Sequence, residues 1–412
     1  MASSVWHTGD GRRDEPRATG LGWPSPAAAP PGRGSPRSGL GWPENPQAGR
    51  KVRTGRNIRQ PGNSHRADPV RSDESPRRRR WPQALVAVLV GLVLLAGGGL
   101  VAGQALVQRY ESSVSRDVLL DPRARDMADS QVGWRRLTGP LNYLLIGSDL
   151  RESNPGAGQR SDTILVVQVD RDLNHAYVIS IPRDLRVEIP ELGGTSFGGA
   201  RQRINAAFEA GGGGSGGVQL LSATLTALTG MRFDGAAVVD FGGFTQVIDS
   251  LGGVNMCVDT EVRSIHTKRL FTVGCREMNG AEALDYSRQR YGLPGGDFDR
   301  QRHQQQLVKA ILSKALDSGV TRNPLKLDQF IRGIGQSLTL DTGDATLTDL
   351  IVALRNIRPD SLTGIRVPSY PQSIGGVSYV LLQDGAEDLF RAMRDADLAT
   401  WVQQHPEWVN AI

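Results

Sequence analysis

Cysteine is nearly absent: Cys257 and Cys275 are the only two in 412 residues. No CxxC occurs and no Cys/His spacing suits a zinc site. The six histidines form no cluster, and neither HExxH nor a Walker A sequence is present. Zinc hydrolases and P-loop nucleotidases therefore have no footing. GGSGG at 213–217 formally matches the nucleophile elbow G-x-S-x-G. It lies inside the run GGGGSGG with no strand entering it, so it is read as a flexible loop and acyl transfer is disfavoured.

Charge is uneven along the chain. Residues 1 to 80 hold sixteen Lys+Arg, fifteen of them Arg, against seven Asp+Glu. Their net charge of +9 leaves −4 for the remainder of a chain whose total is +5. The basic character belongs to the tail, and nucleic acid is not expected as a partner of the whole protein. That tail is rich in Pro, Gly, Ser and Arg, repeats GLGWP at 20–24 and 39–43, and lacks aliphatic periodicity. Such a composition cannot bury enough apolar surface to offset its ordering entropy, so residues 1–81 are expected to be disordered.

The tail ends in Arg77, Arg78, Arg79 and Arg80, and residues 84–103 then run for twenty positions without a charge. That length spans a hydrocarbon core of roughly 30 Å as one helix. A cleaved signal peptide is the rival, but it has a short basic start and a shorter apolar run. A transmembrane helix is expected over 84–105. The arginine block lies on one side, so the amino end should be cytoplasmic and the larger part outside the cell membrane. An oxidising compartment makes a Cys257–Cys275 disulfide the expected state, with two unpaired buried thiols as the alternative.

Residues 106–138 are polar and read as a stalk or linker. Beyond them LNYLLIG (141–147), TILVVQVD (163–170) and HAYVISI (175–181) are short, β-branched and apolar, as buried strands are. The second and third should pair through a turn at 171–174. A helix is expected over 218–228, stopped by Gly230. AAVVDF and VNMCV read as strands, with FTQVIDSLGG as a short helix between them. Asn279 with Glu282 three residues on is a capping-box pattern that starts another helix, and a longer one follows over 298–316. Strands alternating with helices indicate an α/β domain over 139–318, with residues 319–412 extending it.

Chemistry concentrates between Arg288 and Gln304, where Arg288, Arg290, Asp297, Arg300, Arg302 and Gln304 fall within seventeen residues. Arginine is favoured where a planar fork grips a phosphate. Arg288 and Arg290 point the same way if extended, and Asp297, Arg300 and Gln304 share one helix face. Further groups stand at strand edges: Asp149 and Arg151, Arg160 and Asp162, Arg183 and Asp184, Arg203 and Asn205. Two guanidiniums about 6 Å apart repel by roughly 3 kcal/mol at an effective dielectric near 20. A cluster needs anions, which are either structural carboxylates or bound phosphates. A pair such as Asp149 and Asp162, with substrate phosphates, would suffice for Mg²⁺.

In order along the chain, GSDLR, RSDTI, SIPRD, IN, GGV and LDYSRQR with GGDFDRQRHQQ resemble the signatures of the LytR-CpsA-Psr family of bacterial cell-envelope enzymes. The resemblance implies a three-layer α/β/α domain behind a single N-terminal transmembrane helix. It implies Mg²⁺-assisted (or Mn²⁺-assisted) transfer of a phospho-glycopolymer from a polyprenyl-pyrophosphate carrier to peptidoglycan. Carried onto this sequence, Asp149 and Asp162 would hold the metal, with Arg160 nearby. Arg183, Arg288, Arg290, Arg300 and Gln304 would grip the pyrophosphate, alongside Arg203 and Asn205; Arg203 stands where relatives often have Lys. Asp297 would orient these arginines or assist the acceptor hydroxyl. Apolar helix faces such as LLSATLTAL are candidates for an isoprenoid slot, although the same stripe serves equally as core.

The polymer could be arabinogalactan, or one resembling teichoic acid or capsule. Two other functions compete: a polyprenyl or nucleotide pyrophosphatase, with water as acceptor, and a membrane-bound transcriptional regulator. The basic tail alone supports the regulator, and no helix-turn-helix pattern appears in it.

Overall fold

The computed structural model describes residues 114–125, 137–149, 160–193, 197–320, 323–335 and 338–412. The basic tail and the apolar run at 84–105 lie outside them. Among the described residues, no helix is long and apolar enough to cross a membrane.

In chain order, the first strands are β1 (Ser115–Arg116), β2 (Leu141–Ser148), β3 (Ser161–Val169), β4 (Ala176–Ser180), β5 (Arg186–Ile189) and β6 (Ala200–Arg203). Helices α1 (Asn205–Ala210) and α2 (Gly214–Thr229) lead to β7 (Gly235–Asp240) and α3 (Phe241–Ser250). Next come four short strands, β8 (Val254–Val258), β9 (Val262–Arg263), β10 (Leu270–Phe271) and β11 (Gly274–Met278). Helices α4 (Gly280–Ser287), α5 (Asp297–Asp317) and α6 (Pro324–Ile334) precede β12 (Leu338–Asp341) and α7 (Leu347–Ala353). The chain then forms β13 (Leu362–Arg366), β14 (Ser369–Ile374), β15 (Val377–Leu382), α8 (Ala386–Arg394), α9 (Leu398–Gln404) and β16 (Val409–Asn410).

Eight strands make one mixed sheet in the order β1-β12-β7-β2-β3-β4-β13-β16. Its central strands are apolar on both faces, as a sheet covered on both sides requires. Leu144, Ile146, Ile164, Val166 and Ile179 face one core with α2, α8 and α9. Their neighbours Leu141, Leu145, Leu165 and Val178 face the other, against Val308 and Leu312 of α5. The period-two alternation thus sends successive residues into opposite cores.

Two expectations are corrected here. Residues 114–125 lie within the span read as linker, yet β1 pairs with β12 and Leu119, Leu120 and Ala124 are fully buried. Polar composition hid them because Val114, Leu119, Leu120 and Ala124 alone enter the core clusters from this stretch. The glycine run is no loose loop either, for α2 begins at Gly214. A Cβ at Gly217 would lie 2.6 Å from the Phe208 carbonyl oxygen, so the glycines let α1 and α2 meet at backbone distance. The helix ends at Gly230 with φ +72°, as its sequence required.

Gln305 fixes α5 against the sheet. Its amide nitrogen lies 2.9 Å from the Val178 carbonyl and 2.8 Å from both Ser180 Oγ and the Ile365 carbonyl. Its Oε1 accepts from Asn410 at 2.7 Å. One side chain therefore ties the helix to β4, β13 and β16.

Candidate active site

The register of β2 on β3 sets the first group in place. The antiparallel ladder runs to Gly147↔Thr163 and then jumps to Ser148↔Ser161, leaving Asp162 as an extra residue. A bulge of this kind re-aims a side chain, and Asp162 faces a cavity of about 510 Å³. One wall of that cavity is the sheet, through Leu145, Leu165, Ala237 and Val239. The other is Phe241, Phe244 and Val247 of α3 with Leu307, Val308 and Ile311 of α5. The interior is apolar, but Asp162, Arg183, Arg288, Arg290, Arg300 and Gln304 also line it.

Each arginine is positioned by a different element. Arg183 follows β4 in a tight turn and donates to Asp162 at 2.5 Å, with Asp184 at 3.6 Å and Asp297 at 3.7 Å. Arg300 is almost wholly buried on α5, gripping Asp297 at 2.9 and 3.1 Å. Its remaining nitrogen donates to the Asp162 carbonyl at 2.6 Å, which locks α5 to the bulge. Arg288 closes α4 and lies 4.3 Å from the Phe241 ring. Arg290 sits over Tyr291 at 4.7 Å and donates to its hydroxyl at 2.9 Å. The extended stretch expected for Arg288 and Arg290 is not formed. Gln289 turns inward between them and bonds Ser264 and Asp285, so both arginines are left on the cavity wall.

Burial alone would push the Asp297 carboxyl up, but the Arg300 and Arg183 guanidiniums and the Arg300 and Gln301 hydrogen bonds outweigh it and hold it low. Burial would likewise weaken the Arg183 cation; Asp162, Asp297 and Asp184 reverse the sign and keep it firmly charged. Four guanidiniums line the cavity against two carboxylates, Asp162 and Asp240. Asp184 and Asp297 stand behind Arg183 and Arg300 and offset part of that charge, so what the cavity itself presents is mainly guanidinium, which suits an anion.

The remaining candidates are not gathered on this wall. Arg160 is exposed, its guanidinium 3.4 Å from Glu209, while its backbone N–H donates to Asp149 Oδ1 at 2.7 Å. Arg203 donates to the Ser378 carbonyl at 3.0 and 2.8 Å and lies 3.5 Å from Asp184. Asn205 reaches the site only through its backbone N–H, 3.1 Å from the Arg183 carbonyl. Arg302 turns away to Asp259 and Asp299. The apolar stripe of α2 is core, with Leu220, Leu221 and Leu225 packed on the opposite face of the sheet.

Among the described residues, no group of three or more His, Cys, Asp or Glu gathers as a metal centre. Asp149 and Asp162 stand at the same end of adjoining strands, each with one oxygen engaged, by the Arg160 N–H and by Arg183. Two carboxylates, completed by phosphate oxygens and water, are a donor set that fits Mg²⁺.

The profile of the LytR_cpsA_psr family matches residues 106–395. The chain belongs to that family. A Corynebacterium glutamicum relative named "Probable cell wall biosynthesis protein LcpB" is 32% identical over 274 residues, 62% of this chain and 62% of its own length. Cell wall biosynthesis protein LcpA of the same organism is 27% identical over 317 residues, 69% of this chain and 59% of its own. The chain thus spans about three fifths of these two relatives. The polyisoprenyl-teichoic acid–peptidoglycan teichoic acid transferase TagU of Oceanobacillus iheyensis is 29% identical over 315 residues, 75% of this chain and 91% of its own. Among solved structures, B. subtilis TagV superposes with a TM-score of 0.52 at 24% identity, covering 64% of this chain and 98% of that one. "TagT bound to LI-WTA" gives 0.51 at 22% identity, covering 68% and 99%. Both share the fold of this chain.

Sequence reasoning missed the α3 side of this family member's cavity. Asp240 ends β7 beside Ser148, and its Oδ1 caps α3 by accepting from Gly243 at 2.7 Å. Phe241 and Phe244 follow it onto the cavity wall. The signal was available, since AAVVDF places a carboxylate at a strand's carboxyl end, as GSDLR does.

Proposed function

We propose that this protein transfers a phospho-glycopolymer from a polyprenyl-diphosphate carrier to peptidoglycan. The observation carrying this reading is the convergence of Arg183, Arg288, Arg290 and Arg300 at a cavity whose other walls are apolar. A prenyl diphosphate has that amphipathic form. The name of the TagU relative, a polyisoprenyl-teichoic acid–peptidoglycan transferase, supports the same chemistry.

In this reading the apolar walls hold the isoprenoid and the guanidiniums hold the diphosphate. An acceptor hydroxyl attacks the phosphorus bearing the glycan, the bond to the bridging oxygen breaks, the hydroxyl proton passes to the leaving phosphate or to water, and polyprenyl phosphate leaves. Displacement at phosphorus calls for positioning and charge neutralisation, which forked guanidiniums supply as charge gathers on the leaving oxygens. Mg²⁺ held by Asp149 and Asp162 would add further neutralisation there. Asp297 serves as an orienting group: its oxygens are committed to Arg300 and Gln301, and the guanidiniums that lower its pKa make it a weaker proton acceptor. Arg160, Arg203 and Asn205 act outside the cavity wall. The apolar run at 84–105 would anchor the domain outside the cell membrane, beside a lipid-borne donor and at high effective concentration. The polymer proposed is arabinogalactan, with a teichoic-acid-like or capsule-like polymer as the alternative; the names of the corynebacterial relatives specify cell wall biosynthesis alone.

The test is ligation by full-length protein in lipid, scored as glycan covalently joined to peptidoglycan. The Arg288→Ala/Arg290→Ala variant should lose at least about 10²-fold in product formation. Undiminished ligation by that variant overturns the site. Free phosphate without linked product favours water as the acceptor.

A further inference from the structure

Residues 262–276 carry Arg263, Lys268, Arg269 and Arg276, and not one carboxylate. Arg269 pairs with Glu282. Arg263 and Lys268 instead donate to backbone carbonyls, of Lys268 and Ile265, each at 3.0 Å, and among the described residues neither is in an ion pair. Large apolar side chains are exposed on the same segment: Ile265 at 42%, Leu270 at 39% and Val273 at 64%. Tyr291, 54% exposed, joins them at the cavity, where it and Ile265 line the wall. Exposed aliphatic groups among cations are costly in water and have a ready partner in a lipid surface.

The segment is also held in shape. Cys257 and Cys275 face each other across the β8–β11 ladder and are joined as a disulfide at its base. Ser264 Oγ donates to Asp285 at 2.6 Å, and Gln289 Nε2 lies 3.1 Å from Ser264 Oγ. Thr267 bonds the second Asp285 oxygen. The exposed residues are thereby fixed to the turn that presents Arg288 and Arg290.

We propose that residues 262–276 form a bilayer-docking surface, in which Ile265, Leu270 and Val273 enter the interface and Arg263 and Lys268 meet anionic phospholipid headgroups. Docking there seats the cavity beside the lipid from which a prenyl chain enters. That continuity rests on the lipid-carrier reading of the cavity, but the experiment below detects lipid contact and not transfer, so either can fail alone. Charge complementarity selects anionic lipid as the occupant, since nothing acidic lies on the segment.

A photo-reactive benzophenone amino acid is placed at Val273 of the full chain, and in a second protein at Val352, exposed on α7. Each is put in nanodiscs with or without phosphatidylglycerol and irradiated. Lipid adducts at position 273 should exceed those at 352 by about tenfold with phosphatidylglycerol present. Adding Arg263→Glu and Lys268→Glu should lower the yield at 273 by at least about fivefold, with the disulfide intact as the folding control. Equal yields at 273 and 352, yields indifferent to phosphatidylglycerol or to charge reversal, or adducts with a second protein copy would each overturn the proposal.

Discussion

Replacing Asp297 by Asn perturbs the arginine cluster most cleanly, because it removes one charge and almost no volume. The native carboxylate accepts from Arg300 at 2.9 and 3.1 Å and from Gln301 at 3.2 Å, and lies 3.7 Å from Arg183. At the last distance opposite charges attract by about 4.5 kcal/mol at an effective dielectric near 20, before desolvation offsets much of it. The Asn oxygen still accepts one bond from Arg300, so about 1.5–3 kcal/mol of charge-assisted bonding is also lost. We expect a net stability loss of about 2–3 kcal/mol and, as Arg183 and Arg300 lose their orientation, a fall in transfer of about 10²-fold. Diphosphate binding should change far less than transfer, because the loss of alignment is offset by removal of an anion from beneath the guanidiniums. Denaturant unfolding, single-turnover transfer and displacement by inorganic pyrophosphate measure the three quantities on one preparation. Unchanged transfer, or pyrophosphate affinity falling in step with transfer, would refute the orienting role. The native pKa of Asp297 is depressed, so its contribution is complete above the unfolded value of about 3.9 and is lost only as pH falls below it.

His303 should make stability sensitive to a milder range. It is buried and stacked on Tyr286 at 4.4 Å; burial, then Arg302, push its pKa down to about 4. The unfolded chain, with a value near 6.5, binds the proton first, so stability is full above about pH 6.5 and falls by about 3 kcal/mol toward pH 4. Unfolding curves at several pH values should show this slope in the native protein and lose it in His303→Gln; an equal slope in both refutes the assignment. Gly217→Ala would place a Cβ 2.6 Å from the Phe208 carbonyl, whereas Gly193→Ala meets nothing within 4 Å. The first should cost at least about 2 kcal/mol by thermal unfolding and the second well under 1; similar values would mean α1 and α2 do not touch there.

Local signals in the sequence were decisive where the physics is local. The Asn279 and Glu282 side chains form the expected reciprocal cap on α4. The β3–β4 hairpin pairs through the expected turn, and Gly230 stops its helix. Asp297, Arg300 and Gln304 share a helix because their spacing required only one element. Elements defined by a distant partner were not legible. The β5–β6 ribbon and the two-residue β16 depend on partners rather than on their own composition, whereas the β14–β15 hairpin, closed by Gly375 and Gly376, carried a local signal that was not read. The turn around Gln289 depends on Ser264 and Asp285, which no spacing rule connects. Asp162 entered as one of several strand-edge carboxylates; only the pairing register shows that a bulge aims it.

Gln305 makes the α5 wall of the cavity immovable on any cheap path, since sliding the helix would strand four hydrogen-bonding groups at once. A long guest cannot wait for that wall to swing aside, so any widening that admits it has to come from the Phe241, Phe244 and Val247 side.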